Sequence, residues 1–311
     1  MFNISVLGIS KSYNNGSVTA LSNITFDVNK GELFGLIGPD GAGKTTLFRI
    51  LTTLLLPDSG SAKVNGLDII RDYKEIRKKV GYMPGKFSLY QDLSVEENLN
   101  FFATIFNTTV AQNYDLIKEI YVQLEPFKKR RAGNLSGGMK QKLALCCALI
   151  HRPQIILLDE PTTGVDTVSR KEFWIMLKRL KEEGITVLVS TPYMDEANLC
   201  DRIALIQNGK IMSIDTPKEI TKKFPRTLYA IKSYEMSRLL SDLRLNKMVH
   251  SVYAFGEYHH LSFSKRINGK NEPLNNFLEG LNHTNMKFFQ IKPSVEDCFI
   301  DLMTKQEDHD D

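Results

Sequence analysis

Hydrophobic and polar positions divide the first part of the chain into segments with strand-like and helix-like spacing. From Ile4 to Asp27 the spacing is strand-like on both sides of an Asn-Asn-Gly turn, which predicts an antiparallel N-terminal hairpin. Leu33 to Ile37 is a short apolar run, and a glycine-rich loop separates it from helical spacing at Lys44 to Leu56, which we expect Pro57 to end. The pattern therefore predicts a strand, a loop and a helix in succession.

A helical insert is predicted over residues 94–150. Ser94 and Glu97 form a capping-box pattern ahead of an apolar stretch at residues 98–106, and residues 137–150 again have helical spacing before Pro153. This insert interrupts an otherwise strand-rich region, so we expect it to form a subdomain of its own.

Two aliphatic runs, residues 155–158 and 185–189, are separated by an amphipathic segment, which predicts a parallel βαβ unit whose sheet is covered on both faces. Residues 202–214 predict a closing hairpin with an Asn-Gly turn, and a short helix then ends the first domain near Phe224. We therefore expect an α/β core with a mostly parallel sheet, an antiparallel N-terminal β subdomain and the helical insert, all within residues 1–224.

Residues 225–311 mix β-rich runs, such as 227–231 and 259–263, with one helical segment at 235–243, which predicts a small α+β C-terminal domain. This segment has 11 basic and 12 acidic residues, and the whole chain of 311 residues has a net charge of +4. Neither balance is typical of a nucleic-acid-binding protein, so we expect no nucleic-acid partner.

The composition is that of a folded globular protein, with 42% hydrophobic and 24% charged residues. No uninterrupted apolar run approaches the roughly 18 residues of a membrane span, and no secretory signal pattern begins the chain. We therefore expect a cytoplasmic chain, in which any membrane path belongs to another polypeptide. The four cysteines lack the spacing of a metal cluster, which favours buried, reduced thiols.

The glycine-rich loop has the spacing of a phosphate-binding loop, from Gly38 through Lys44 to Thr45, and it lies between the predicted strand and helix as that motif requires. Backbone N–H groups in such a loop point at phosphate oxygens, and the helix N-terminus adds positive charge. Lys44 is expected to reach the terminal phosphates and Thr45 to bind Mg²⁺. ATP with Mg²⁺ is therefore the predicted ligand.

Asp159 and Glu160 directly follow the buried run at 155–158. Because ligands of open parallel sheets bind at the carboxyl ends of the strands, both carboxylates are expected to face the phosphate loop. We assign Asp159 to the metal and Glu160 to an attacking water, with Lys44 as the third catalytic residue. Two exposed acids at a strand end are the alternative.

At Leu135 to Met139 the chain has the sequence Leu-Ser-Gly-Gly-Met, and here it resembles the ATP-binding cassette family, whose signature motif this is. The resemblance implies that Ser136, Gly137 and Gly138 contact the ATP held by a second cassette, and that Asp166 lies in the loop between the two sites. Helix capping remains the alternative for both Ser136 and Asp166. The resemblance also implies a fold of the P-loop NTPase class and nucleotide contacts from Tyr13, Gly38, Asp40, Gly41, Ala42, Gly43, Lys44, Thr45 and Thr46.

Two positions depart from the family pattern. Gly85 stands where members usually have a glutamine near the metal, although Gln91 could fold back, and Pro192 stands in place of the switch histidine. Proline has neither a side-chain donor nor an N–H, so it cannot replace imidazole at a phosphate. Asp40, where asparagine is commoner, is a milder departure. The site is therefore predicted to hold ATP and to hydrolyse it slowly.

Because the signature motif is intact, these departures favour a heterodimer in which this chain completes the active site of a second cassette. An active homodimer is the alternative. The sequences at residues 86–90, 93–99 and 135–142, together with the C-terminal Pro-Ser-Val-Glu-Asp run at 293–297, are similar to those of ATPases of ABC-2 exporters of the drug-resistance class, in particular the first, histidine-lacking cassette of tandem-cassette exporters.

That resemblance implies a separate ABC-2 permease, a peripheral location on the inner face of the cell membrane, and residues 85–97 as the coupling surface. Phe87 and Tyr90 are its candidate contacts, unless they serve local packing. A cassette protein that acts without transport, as a soluble regulator, is the competing function.

Overall fold

The computed structural model describes residues 2–264 and 272–310. The chain forms two compact units, Met1–Ile220 and Thr221–Asp311, whereas the sequence placed the boundary between residues 224 and 225. Within the described residues, no helix has both the length and the apolar character needed to cross a membrane.

The first unit contains a four-stranded antiparallel sheet in the order β2-β1-β4-β5, in which β1 and β2 form the predicted N-terminal hairpin. Its strands are β1 (Phe2–Tyr13), β2 (Val18–Asn29), β4 (Ser59–Val64) and β5 (Leu67–Asp68). One face of this sheet belongs to the main hydrophobic core, since Ile4, Val6 and Ile9 are buried together with residues of the central sheet.

The second sheet of this unit has six strands in the order β10-β9-β3-β8-β7-β6. They are β3 (Leu33–Ile37), β6 (Val80–Met83), β7 (Ile155–Asp159), β8 (Thr186–Thr191), β9 (Arg202–Gln207) and β10 (Lys210–Asp215). All neighbours are parallel except β10, which closes the predicted hairpin with β9. Every residue of β3, β7 and β8 is buried, as expected for strands covered on both faces.

The helices described in the first unit are α1 (Lys44–Leu51), α2 (Tyr73–Lys79), α3 (Val95–Ile105), α4 (Tyr114–Tyr121), α5 (Gly137–Leu149) and α6 (Thr167–Glu182), and α7 (Pro217–Lys222) spans the boundary after Ile220. The predicted capping box of α3 is confirmed, because Glu97 N donates to Ser94 Oγ at 3.2 Å and Ser94 N donates to Glu97 Oε2 at 2.7 Å. The expected end of α1 at Pro57 is wrong. The helix ends at Leu51, because Thr53 adopts a left-handed conformation with φ of 61°.

The second unit has a four-stranded antiparallel sheet in the order β12-β13-β11-β14. Its elements are β11 (Leu228–Lys232), α8 (Met236–Leu245), β12 (Val249–Phe255), β13 (Tyr258–Phe263), α9 (Glu272–Gly280), β14 (Lys287–Ile291) and α10 (Val295–Asp310). The chain order βαββαβ with this strand order is the ferredoxin-like arrangement, and α10 follows it. This agrees with the predicted α+β class, which did not specify a topology.

Candidate functional site

The phosphate loop connects β3 to α1, and its glycines allow close backbone approaches. A Cβ atom at Gly38 would lie 2.2 Å from the carbonyl oxygen of Ile206, and one at Gly43 would lie 2.4 Å from that of Ala20. Gly43 also has a φ of 102°, which side chains rarely adopt. Larger residues at either position would push the loop off the sheet. The loop thus forms a backbone cradle directly before the N-terminus of α1.

Lys44 is almost completely buried, with 3% of its surface exposed, and its Nζ has three oxygen partners. It donates to the carbonyl oxygens of Gly38 and Pro39 at 2.8 and 2.9 Å, and lies 3.0 Å from Oε1 of Glu160. These are contacts that phosphate oxygens could replace, because all three partners are acceptors at the mouth of the cradle. The ammonium group is therefore held at the position where a bound polyphosphate would end.

Asp159 ends β7, is 1% exposed and accepts a hydrogen bond from Ser190 Oγ at 2.7 Å. Burial raises the pKa of Asp159 above its ordinary value, while hydrogen bonds from Ser190 and Thr45 act in the opposite direction. The carboxylate therefore lies beside the hydroxyl of Thr45, the other residue that the sequence analysis assigned to a metal.

Glu160 follows Asp159 and adopts a left-handed conformation with φ of 50°. Its N–H donates to the backbone oxygen of Ser190 at 3.1 Å and to Ser190 Oγ at 3.0 Å. Such a backbone is uncommon for a residue with a side chain and is concentrated at functional sites. The turn directs the Glu160 carboxylate towards Lys44, so both predicted carboxylates face the phosphate loop.

A cavity of about 440 Å³ opens at this edge of the sheet, large enough for part of a nucleotide. It is lined by Thr45, Arg49, Leu54, Tyr82, Pro84, Gly85, Lys86, Asp159 and Glu160. Arg49, Lys86 and the supporting Ser190 were missed by the sequence reasoning. Ser190 could have been found, because it lies one residue before the end of β8, the strand beside β7, and the carboxyl ends of neighbouring parallel strands meet at one edge.

The residues at this edge fit Mg²⁺. A hydroxyl and a carboxylate are hard oxygen donors, and Mg²⁺ is usually held by one or two protein oxygens together with phosphates and water. Among the described residues, no group of three or more His, Cys, Asp and Glu side chains is arranged to hold a metal ion by itself. The donor set therefore suits a metal that arrives with a phosphate ligand.

The remaining predicted nucleotide contacts lie around the cradle. The hydroxyl of Tyr13, at the end of β1, is 3.3 Å from Thr46 Oγ1 on the first turn of α1. Asp40 and Gly41 are exposed at the tip of the loop, and Ala42 is buried beneath it. The Tyr13 ring is thus close enough to the loop to contact a nucleotide held there.

Ser136 is the N-cap of α5, where its Oγ accepts a hydrogen bond from Met139 N at 3.3 Å. A Cβ atom at Gly138 would lie 2.6 Å from Ser169 Oγ, and one at Gly137 would lie 3.2 Å from the oxygen of Gly164. The signature segment therefore packs on the start of α6, and Ser136 does not line the 440 Å³ cavity.

Asp166 caps α6 by accepting from the N–H groups of Val168 and Ser169 at 3.1 and 3.0 Å. The capping alternative for Asp166 is thus shown.

Of the two departures from the family pattern, Gly85 lines the cavity and Pro192 directly follows β8. A Cβ atom at Gly85 would be 3.1 Å from the backbone oxygen of Asp159 and 3.8 Å from its Oδ2, so a side chain at this position would begin beside the Asp159 carboxylate. Pro192 directly follows Thr191, whose oxygen accepts from Gly38 N at 3.3 Å. Gln91 does not line the cavity, and its side-chain Oε1 would lie 3.7 Å from a Cβ atom at Gly133 in the helical insert. Both side chains that the family pattern would supply are therefore missing from the cavity.

Comparisons with known proteins agree with this geometry. The sequence profile of the ABC transporter family matches residues 21–163. The chain is 38% identical over 304 residues to the probable multidrug ABC transporter ATP-binding protein YbhF of Escherichia coli, an alignment that covers 96% of this chain and 52% of that protein. It thus spans about half the length of that relative.

Two further relatives are matched over most of their length. The chain is 37% identical over 241 residues to the doxorubicin resistance ATP-binding protein DrrA of Mycobacterium tuberculosis, covering 76% of this chain and 72% of that one. It is 35% identical to a Nod factor export ATP-binding protein of a Rhizobium strain, covering 71% and 73%.

Solved structures with the same fold include CbiO1 of Clostridium perfringens, part of the CbiONQ transporter complex. It has a TM-score of 0.63 and 25% identity, and the match covers 71% of this chain and 91% of that one. Another is the cassette MJ0796, in a dimeric post-hydrolysis state with ADP and Pi. Its TM-score is 0.62 and its identity 26%, with 68% of this chain and 98% of that one covered.

Proposed function

The chain belongs to the ABC transporter family, and from this premise we propose that it is an ATP-binding subunit that holds MgATP, hydrolyses it slowly and completes the active site of a second cassette. One observation supports this proposal above all. Thr45, Asp159 and Glu160 line one cavity and Lys44 pairs with Glu160, whereas Gly85 lines the same cavity without a side chain and Pro192 has no side-chain donor.

In this proposal the phosphate loop binds the polyphosphate through its N–H groups and Lys44 neutralises charge on the terminal phosphate. Mg²⁺, bound with ATP, would offset the phosphate charge from a position beside Thr45 and Asp159. Glu160 orients a water and accepts its proton once Lys44 has exchanged the carboxylate for phosphate oxygens. Tyr13 stacks on the base.

Slow turnover follows from the missing donors. Removing one donor that stabilises developing negative charge typically lowers a rate by about 10²- to 10³-fold. Neither Gly85 nor Pro192 has such a donor, and proline lacks even its backbone N–H. The remaining residues can bind the substrate, so affinity is preserved while the chemical step is slow.

The signature segment supports a role at another subunit's site. Ser136 and the first N–H groups of α5 form a helix N-terminus that suits an anion. Both Ser136 and Gly137 are exposed. A second cassette facing it head to tail would place its own γ-phosphate there, and Asp166 would lie in the loop between the two sites. A heterodimer then has one fast site, which this chain completes, and one slow site.

Two substitutions in the purified complex test the asymmetry. We expect Ser136→Arg to abolish ATP hydrolysis by the complex, because a bulky cation blocks the partner's phosphate, whereas Lys44→Ala should leave a substantial fraction. Ser237→Arg is the matched control for Ser136, since it makes the same change at an exposed serine on the first turn of α8 in the second unit. Lys63→Ala, at an exposed lysine on β4, is the control for Lys44.

Equal losses from Ser136→Arg and Lys44→Ala would contradict the asymmetric proposal. The homodimer alternative makes its own prediction for the chain purified alone. If that preparation hydrolyses ATP at a rate near the enzyme median of about 10 per second, the chain needs no second cassette and the slow-site proposal is wrong.

Export through a separate ABC-2 permease is the proposed cellular role, with the subunit on the inner face of the cell membrane. Similarity to drug-resistance and Nod factor export proteins supports it. The proposed coupling surface, residues 85–97, includes Tyr90, which is 51% exposed and packs edge-on against Phe101 at 4.7 Å. Phe87 lies beneath Lys140 at 5.6 Å. Tyr90 thus combines local packing with an available face.

Co-purification tests this role. An affinity-tagged chain should bring down an integral membrane protein and a second cassette. Recovery of the tagged chain with ribosomal RNA, or by itself, would favour a cassette protein that acts without transport.

A further inference from the structure

A buried carboxylate outside the nucleotide cavity joins three segments of the first unit. Glu196, 2% exposed, lies in the short helical segment Met194–Leu199 after β8. Its Oε2 accepts from Thr191 Oγ1 at 2.5 Å and from Thr162 Oγ1 at 3.1 Å. Thr191 follows Ser190, and Thr162 comes two residues after Glu160. This oxygen therefore ties together the two segments that position the catalytic carboxylates.

The other oxygen of Glu196 faces α6. Oε1 accepts from Nε of Arg170 at 3.1 Å, and Nη2 of Arg170 lies 3.0 Å away. The guanidinium also stacks on Tyr193 at 3.9 Å. Two nitrogens of one planar fork on a single carboxylate oxygen make a charge-assisted contact with a defined orientation. Arg170 and the segment after β8 are thus held in one relative position.

Arg170 is on the first turn of α6, the same turn that packs on the signature segment. Its N–H donates to the oxygen of Asp166 at 2.9 Å. One residue earlier, Ser169 leaves no room for a side chain at Gly138, where a Cβ would lie 2.6 Å from its Oγ. Because close-packed groups cannot slide past each other freely, a displacement of this turn would move Gly138 as well.

We infer that the Arg170–Glu196 pair is a positioning contact that couples this chain's own phosphate site to its signature segment. Neither residue lines the nucleotide cavity. On one side of the pair, Glu196 accepts hydrogen bonds from Thr162 and Thr191. These two threonines lie within two residues of Glu160 and Ser190 in the chain. On the other side of the pair, Arg170 belongs to the turn that supports Gly138. ATP bound by this chain would thereby adjust the surface offered to the partner's ATP. The inference rests on the proposed function, because it assumes ATP in this cavity.

Hydrogen exchange on the full chain, with and without Mg²⁺ and a non-hydrolysable ATP analogue, tests the coupling without a partner. The reporting amides are those of Met139 and Lys140, which donate to Oγ and O of Ser136 at 3.3 and 2.9 Å. In the unmodified chain we expect the analogue to slow their exchange about fivefold or more, a typical allosteric factor, and in Glu196→Gln this slowing should vanish. Protection of the phosphate loop should persist in both.

Arg179→Gln is the matched control. Arg179 is on the same helix and pairs with Glu119, but both side chains are more than half exposed, at 54% and 61%. Its replacement should leave the analogue's effect on Met139 and Lys140 intact. If Glu196→Gln does not fold, Arg170→Lys serves instead, because lysine keeps the charge and loses the planar fork.

The outcomes are distinct. Loss of the effect at Met139 and Lys140, with phosphate-loop protection retained and the unfolding midpoint close to that of the control, supports the coupling. The coupling is overturned if the variants keep the effect, or if the unmodified chain protects its phosphate loop without any change at these amides. No protection of the phosphate loop in the unmodified chain would overturn the proposed function, and this inference with it.

Discussion

Replacing Ser190 by alanine tests whether its hydrogen bond keeps the Asp159 carboxylate ionised for metal binding. Ser190 is fully buried, donates to Asp159 Oδ1 at 2.7 Å and accepts from Glu160 N at 3.0 Å. The Glu160 N–H keeps a second acceptor, the backbone oxygen of Ser190 at 3.1 Å, so the substitution leaves it satisfied. The carboxylate of Asp159 is the group that loses a partner.

The magnitude follows from the charge on that partner. A hydrogen bond to a charged group contributes about 1.5–3 kcal/mol. If all of this contribution supports Mg²⁺ binding, its removal lowers the affinity for Mg²⁺ by about 10- to 100-fold. The pKa of Asp159 is already raised by burial, and the Ser190 bond opposes that effect. Its removal therefore raises the pKa of Asp159 further, and Mg²⁺ binding, which needs the ionised form, should fail at a higher pH.

The assay is the affinity of the chain for MgATP by calorimetry across a pH series. Affinity should fall as the pH drops through the pKa of Asp159, and in Ser190→Ala the fall should begin at a higher pH. Ser262→Ala is the control, a buried serine in the second unit that bonds to Ser251 at 2.6 Å and to no carboxylate. Superimposable pH profiles for Ser190→Ala and the unmodified chain would refute the reasoning.

Two further predictions concern burial and close approach. Burial lowers the pKa of His151 from 6.5 to about 4. Between these two pH values the imidazole binds a proton in the unfolded chain and not in the folded chain, so the free energy of unfolding falls as the pH drops from 6.5 towards 4. His151→Phe keeps the ring stack on Phe106 and removes the titrating group. Urea unfolding of this variant should show a pH-dependent loss of stability that is smaller by at most about 3 kcal/mol. An unchanged pH dependence would contradict this prediction. In Gly38→Ala, whose Cβ would lie 2.2 Å from the oxygen of Ile206, we expect ATP affinity to drop about tenfold or more. Fluorescent-ATP titration measures it, with Gly280→Ala as control, because a Cβ atom at the end of α9 would meet nothing within 4 Å. Equal affinity in Gly38→Ala and the unmodified chain would show that the loop tolerates the shift.

Local signals in the sequence were sufficient for several elements. The capping box at Ser94 and Glu97 starts α3 as predicted, because two reciprocal hydrogen bonds depend only on residues three positions apart. The buried runs that became β7 and β8 were found because strands covered on both faces are continuously apolar. Local chemistry therefore predicts most of the parallel core.

Features that depend on tertiary packing were not predictable in this way. The end of α1 at Leu51 depends on the left-handed conformation of Thr53, which a threonine does not predict. The role of Ser190 requires knowledge that β8 lies beside β7, and that of Glu196 requires the position of α6 relative to β8. The ferredoxin-like strand order of the second unit likewise depends on pairings between distant segments.

We propose that this chain holds MgATP at a slow site and completes a fast site on a second cassette. The most direct measurement is photolabelling of the purified complex with radioactive azido-ATP, with and without vanadate, which traps ADP only at a site that has completed hydrolysis. We expect bound ATP to label this chain without vanadate, and trapped ADP to appear on the second cassette. Equal vanadate-dependent trapping on both subunits, or no labelling of this chain, would contradict it.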